Sequence, residues 1–317
     1  MAPKLDFDPP KDIPDLAGRI VLVTGGTNGL GSETVASLAA HNAAHIYFTG
    51  RSQPSADKVI AKLKEKQPNA RITFLPCDLA SLQSVKDAAK TLTDSLDRLD
   101  LVFANAGIMA LPPTLTKDGY EIQFGTNHVG HALLITLLTP LLERTAAQQA
   151  SSPADVRIIW TSSQGYMLHP RGGIVFEKAR TPQSDISPVA GGWVRYGQSK
   201  LANLLYARAY ARHHPSITSV SIHPGVSATG LVTSRGFMDR ALIYSTSFYK
   251  MLTPEQCAWN QQWAATAPLG TGAKQVESGK YYDPIGVKTA LQREGGNDEL
   301  AEKLWDWTQK ELEPWLA

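Results

Sequence analysis

Ile20-Val21-Leu22-Val23-Thr24-Gly25-Gly26-Thr27-Asn28-Gly29-Leu30-Gly31 is the stretch on which the fold turns. Its first four residues are a short apolar run, the mark of a strand buried on both faces of a parallel sheet. Ser32 to His41 follows as a small-residue stretch of helical character. A strand, a glycine loop and a helix in that order make a cradle for a dinucleotide pyrophosphate. The helix N-terminus offers unpaired N–H groups and the positive end of its dipole to the phosphates. No Gly-Lys-Ser/Thr follows, so a kinase-type phosphate loop is excluded.

The second informative run is Tyr196-Gly197-Gln198-Ser199-Lys200. A Tyr-x-x-x-Lys step sets a phenol and an ammonium one turn apart on one helix face. Alone, such a pair is common enough to mean little. Behind a phosphate-binding loop, it points to carbonyl–alcohol chemistry with a nicotinamide cofactor. In a reduction, charge builds on the carbonyl oxygen as hydride attacks the carbon, and that oxygen needs a proton donor and a second hydrogen bond. Tyr196 is the expected acid. Lys200, together with an oxidised nicotinamide, is expected to favour phenolate and lower the phenol's pKa.

The chain resembles the short-chain dehydrogenase/reductase family along nearly its whole length, motif after motif in the family's order. Thr24-Gly-x-x-x-Gly29-x-Gly31 has the spacing of the single-domain oxidoreductases. Asp78 in Cys77-Asp78-Leu79 stands where the family's acid contacts the adenine amine. Asn105-Ala106-Gly107 closes an apolar strand, Leu101 to Ala104, and Asn127 matches the family's helix asparagine. Ile158 to Ser163 matches the strand that ends in the catalytic serine, selecting Ser163 over Ser162. His223-Pro224-Gly225-Val226, with Thr229 following, matches the loop at the nicotinamide end. Several runs, with Gly279-Lys280-Tyr281-Tyr282, are most similar to the retinol-dehydrogenase and protochlorophyllide-reductase-like branch.

The resemblance implies a catalytic set of Asn127, Ser163, Tyr196 and Lys200. Ser163 would hold the carbonyl oxygen, Lys200 would also bind the nicotinamide ribose, and Asn127 would position a water for proton relay to Lys200. It implies cofactor contacts from Gly25, Thr27, Asn28, Gly29, Leu30, Asp78, Leu79, Asn105, Ala106, Gly107, Tyr196, Lys200, Pro224, Gly225, Val226 and Thr229. Arg51 joins them on chemical grounds. NAD-binding sites place a carboxylate at the end of the second strand. Here that position is Gly50, followed by Arg51, whose guanidinium can fork onto a 2′-phosphate. NADP(H) is therefore expected, although Asn28 stands where many NADP-preferring relatives carry a second basic residue.

Strands are predicted at Ile20–Thr24, His45–Thr49, Arg71–Pro76, Leu101–Ala104, Arg157–Thr161, Ser219–His223 and Lys280–Tyr282. Helices are predicted at Ser32–His41, Ala56–Gln67, Leu82–Ser95, Lys117–Thr145, Val194–His213, Pro254–Ala265 and Asn297–Leu312. This alternation is the pattern of an α/β fold, a doubly wound parallel sheet of Rossmann-like type. Residues 1–317 read as one domain, with 1–17 an arm laid on the surface and 164–195 and 231–252 an extra flap and lid.

At 317 residues, 43% hydrophobic and with a net charge of +2, the chain can bury a large core and gives no reason to invoke nucleic acid. Cys77 and Cys257 match no disulfide or zinc spacing, which favours a reducing, cytoplasmic setting. The N-terminal residues lack a secretory pattern. Ala132 to Leu142, interrupted by Pro140, is too short to span a bilayer and reads as a buried helix. His128 and His131 lie three apart without a third ligand, so they read as core or helix-surface residues and no metal is expected. There is no Gly-x-Ser-x-Gly elbow of a hydrolase, and Ser55-Ala-Asp-Lys58 reads as a helix start.

The lid segment carries Phe237, Met238, Leu242, Ile243, Tyr244, Phe248, Tyr249, Met251 and Leu252, which suits an apolar small-molecule ketone or aldehyde. Packing of the same side chains on the core or on a partner subunit is the competing reading. Two other functions stay open: reduction of an activated C=C bond, and a non-catalytic regulator that senses NADP(H). A homodimer through the helices at 117–145 and 194–213 is suggested only by analogy.

Overall fold

The computed structural model describes residues 6–149, 154–227 and 251–316. Strands β1 (Ile20–Val23), β2 (His45–Gly50), β3 (Ile72–Pro76), β4 (Leu101–Ala104), β5 (Arg157–Thr161) and β6 (Thr218–Ile222) pair in parallel. Short strands β7 (Val226–Ser227) and β8 (Met251–Leu252) pair with each other, β9 (Tyr281–Asp283) extends the main sheet in parallel, and β10 (Val287–Lys288) runs antiparallel at its edge. The sheet order is β10-β9-β6-β5-β4-β1-β2-β3. Between β1 and β4 the order reverses, and the C-terminal ends of the strands open there into a crevice, as expected of doubly wound sheets.

Both faces of the sheet are covered, and the side-chain alternation of the strands assigns residues to them. Leu22, Val102, Ala104, Ile158 and Trp160 join one apolar core. Val21, Val23, Leu101, Phe103, Ile159 and Val220 join the other. Helices α2 (Gly29–Ala40), α3 (Gln53–Lys66) and α8 (Pro254–Thr266) contribute to the second core. Helices α4 (Leu82–Ser95), α6 (Gly130–Ala147), α7 (Gly191–His213) and α9 (Asp298–Leu316) contribute to the first. Two further short helices are α1 (Pro9–Asp12) and α5 (Ile122–Phe124).

Two sequence expectations need correction. The helix predicted over Lys117–Thr145 is broken. Gly119 takes a left-handed φ of +83° in a turn, and the Glu121 carboxylate caps α5 by accepting from Gln123 N and Phe124 N. A π-turn at Gly125–Val129 then leads into α6. The arm at 1–17 is no surface strap where it is described: Phe7, Ile13 and Leu16 are buried in the second core. Residues 164–190 are irregular as expected, yet held fast. Val175 N donates to Gln198 Oε1 at 2.9 Å, and Arg195 Nη1 donates to Gln183 O at 3.2 Å.

Asn297 caps helix α9, with Leu300 N donating to its Oδ1 at 2.9 Å. Leu300, Ala301, Leu304, Thr308 and Leu312 recur at helical spacing and are buried against α7 and α6. Thr308 Oγ1 pairs with His128 Nε2 at 3.0 Å, and Trp305 stacks on Tyr206. Among the described residues no helix is long and apolar enough to cross a membrane.

Candidate active site

The glycine loop lies at the end of β1, as its sequence requires. Gly25 adopts φ +68°, which L side chains rarely tolerate, and a Cβ there would press on Ala106. A Cβ on Gly31 would collide with the Gly25 carbonyl, so α2 can start this close to the loop only with glycine at 31. Asn28 caps α2 by accepting from Gly29 N at 2.7 Å. The result is a concave backbone cradle facing the positive end of a helix, which fits the pyrophosphate of a dinucleotide.

From this cradle a cavity of about 1160 Å³ runs across the crevice to the N-terminal half of α7. It brings together Gly25, Thr27, Asn28, Gly29, Leu30, Arg51, Asp78, Leu79, Asn105, Ala106, Gly107, Ser163, Tyr196, Lys200, Pro224, Gly225 and Val226. Thr229 lies outside the described residues. So do all the lid residues except Met251 and Leu252; those two form β8, where Leu252 packs over Gly225.

Asn127 is the expected site residue that does not line the cavity. It sits fully buried in the π-turn, directly behind Gly107. Its side chain accepts from Ile108 N at 2.8 Å and donates to Ile108 O and Ser199 Oγ, both at 2.9 Å. A Cβ on Gly107 would stand 3.3 Å from Lys200 Nζ and 3.4 Å from Asn127 Oδ1, so both side chains close on the space that a larger residue at 107 would fill.

Ser163 and Tyr196 face each other at the inner end of the cavity: a Cβ on Gly165 would stand 3.2 Å from Ser163 Oγ and 3.0 Å from Tyr196 Cε1. Gly165 N donates to Ser163 Oγ at 3.0 Å and fixes its position. Ser162, the other serine at this strand end, is occupied: its hydroxyl donates to the Lys200 main-chain carbonyl at 2.7 Å. Lys200 Nζ donates to Thr161 O at 2.8 Å and stands 5.9 Å from the centre of the Tyr196 ring.

The electrostatics differ from expectation. Burial pushes the Tyr196 phenol up, against a smaller opposing pull from Ser163, so in the protein alone the group is held protonated. Lys200 meanwhile spends a hydrogen bond on Thr161 O and stands 5.9 Å from the centre of the Tyr196 ring. Burial without a counter-charge also pushes Lys200 down to about 7.

Sequence reasoning overlooked the other wall of the cavity, built by Met109, Leu111, Met167, Leu168 and Trp193. Trp193 meets Tyr196 edge to face, ring centres 6.2 Å apart. Its position three residues before Tyr196, on the same helix face, was the available signal.

Comparison with known proteins agrees with this architecture. The family model described as short chain dehydrogenase matches residues 19–175. An uncharacterized oxidoreductase of Schizosaccharomyces pombe is 37% identical over 98% of this chain and 89% of its own length. The short-chain dehydrogenase/reductase drtF of Aspergillus calidoustus is 34% identical over 98% of both chains. The chain belongs to the short-chain dehydrogenase/reductase family. Among solved structures, a protein of Mycobacterium paratuberculosis described as putative and uncharacterized superposes with a TM-score of 0.68 at 26% identity, covering 94% of this chain and 95% of the other. An NADPH-bound carbonyl reductase from chicken fatty liver gives 0.63 at 21% identity, covering 88% and 96%, a likeness of fold. As a short-chain dehydrogenase/reductase, the protein is an oxidoreductase of a nicotinamide-using family.

Proposed function

We propose that this short-chain dehydrogenase/reductase is an NADP(H)-dependent reductase of a neutral, apolar ketone or aldehyde. The observation that carries the reading is the placement of Ser163 beside Tyr196 at the inner end of a cavity whose other end is the glycine cradle. Bound in the cradle, the cofactor would supply the hydride. The residues supply the rest. Tyr196, held protonated by burial, gives its proton to the carbonyl oxygen, and Ser163 hydrogen-bonds that oxygen as charge develops on it. Lys200, close to losing its own proton at neutral pH, is poised to restore the phenol, with Asn127 behind Gly107 as the support of that exchange.

The choice of NADP(H) rests on Arg51, exposed at the end of β2 beside Ser52 and Ser55, with no carboxylate at position 50. The carbonyl reductase from chicken fatty liver carries NADPH, and Pseudomonas aeruginosa RhlG carries NADP at its active site, which supports the choice by likeness of fold. An apolar substrate is supported by Met109, Leu111, Met167, Leu168 and Trp193. We take residues 1–317 as one domain acting in the cytoplasm, in keeping with two buried cysteines that form no disulfide.

NADPH oxidation against aliphatic, aromatic and polycyclic ketones, aldehydes and enones tests the reading, with product analysis separating C=O from C=C reduction. Turnover of carbonyls by the wild type and its collapse in Tyr196→Phe is the expected result. NADPH binding without turnover of any compound would favour a sensor.

A further inference from the structure

His131 has no part in the chemistry above, yet it is fully buried between the glycine loop and Asn127. Its Nδ1 lies 2.9 Å from the Asn127 main-chain carbonyl, and its Nε2 lies 2.8 Å from Thr24 Oγ1. Thr24 is the residue from which the glycine loop departs. The same hydroxyl accepts from Asn105 N at 2.9 Å and from Ala106 N at 3.0 Å. Two residues beyond Ala106, Ile108 is clasped by the Asn127 side chain through both its N–H and its carbonyl. These bonds form a closed ring: Thr24, the Asn105–Ile108 loop, Asn127, His131 and back to Thr24. Gly107, with Lys200 Nζ close by, lies on the loop inside that ring.

Proton counting fixes the ring's state. A carbonyl only accepts, so Nδ1 carries the hydrogen. Burial and the neighbouring Lys200 push His131 down to about 4, so at neutral pH the imidazole is uncharged and Nε2 accepts from the Thr24 hydroxyl. The single proton of Thr24 is then committed to His131, and its two lone pairs are left for the two loop amides. A charged imidazole would place a third donor on those lone pairs. Phe103 O, at 3.1 Å, is the longer alternative acceptor for the hydroxyl.

Resting on the proposed reductase reading, we propose that His131 is a positioning residue. It closes the hydrogen-bonded ring that holds Asn127 and the Asn105–Ile108 loop in one register against Lys200, so that the glycine loop and the proton-handling end of the site move as one piece.

Two variants test this. His131→Leu removes both bonds. His131→Gln offers an amide N–H and a carbonyl oxygen with nearly the separation of the two ring nitrogens. NADPH affinity by quenching of tryptophan fluorescence, Tm, and the pH profiles of kcat and KM are measured for each. The leucine variant is expected to lose about 10- to 100-fold in kcat with KM for the ketone little changed, and to bind NADPH about 5-fold more weakly. The kcat profile should also move, because the surroundings of Lys200 change. The glutamine variant is expected to recover most of each loss. Unchanged kcat and NADPH affinity in His131→Leu, or a loss that glutamine does not recover at equal Tm, overturns the proposal. Should the leucine variant not fold, His131→Asn, which reaches Asn127 but not Thr24, takes its place with the same expected split. A wild type that turns over no carbonyl would end the reductase reading alone, since NADPH affinity still reports on His131.

Discussion

Lys200 Nζ donates to the main-chain carbonyl of Thr161 at 2.8 Å, two residues before Ser163. The bond ties α7 to the end of β5 and so sets the distance between Tyr196 and Ser163. It also leaves the lysine buried without a carboxylate, with its pKa lowered from 10.5 to about 7. Between those values the unfolded chain holds a proton that the folded chain lacks, so this group makes the protein more stable as pH rises and costs most below pH 7. Lys200→Met should remove that dependence. Urea unfolding at pH 6.5, 8 and 9.5 should show the wild type gaining on the variant by on the order of a few kcal/mol across the range. Parallel curves would mean that the lysine is not shifted.

Tyr196→Phe should lower kcat by roughly 10³-fold, and Ser163→Ala by roughly 10²-fold, while NADPH affinity stays within about 2-fold. Single-turnover absorbance and fluorescence titration measure the two quantities separately. Phenylalanine at 196 with normal turnover would remove the phenol from the chemistry.

Arg51→Ala should cut kcat/KM for NADPH by roughly 10- to 100-fold and leave that for NADH nearly unchanged, the loss of about two charge-assisted hydrogen bonds. An aspartate at position 50 would test the cofactor choice less cleanly. A Cβ at Gly50 would stand 2.6 Å from Thr27 Cγ2, so the substitution would also disturb the glycine loop.

Burial pushes His128 down to about 3 and His131 to about 4. Below their ordinary value of 6.5 the unfolded chain takes up protons that the folded chain refuses, so stability falls as pH drops from about 6.5 toward 4. With both histidines contributing, the slope approaches roughly 2 × 1.4 kcal/mol per pH unit. His128→Gln should halve it, and a slope unaltered in that variant would mean that other groups govern acid unfolding.

The order of strands and helices was legible because the buried parallel strands are short apolar runs and the turns are marked by glycine and proline. The glycine-loop side of the cavity was legible because it is built from backbone and contiguous motifs, as at Thr24–Gly31 and Asn105–Gly107. What escaped depends on tertiary position. Trp193 and Met109 come together with Tyr196 only once α7 and the loop after β4 face each other. The break at Gly119–Val129 was hidden by the apolar periodicity on its far side. The placement of Asn127 behind Gly107, and the His131 bonds on either side, join residues from four separate segments that no local pattern connects. Edge strand β10 is two residues long and has no pattern to read.

Helix α9 covers α7 and touches α6, Thr308 meets His128 just before α6, and Gln309 Nε2 donates to Tyr206 OH at 2.8 Å. These are the helices that a homodimer by analogy would use, and a second copy could reach the covered surfaces only by prying α9 away. The cover is tethered in the same chain, so its local concentration does not fall when the protein is diluted. The brace on the back of the Tyr196 helix is therefore expected to persist from micromolar to nanomolar protein.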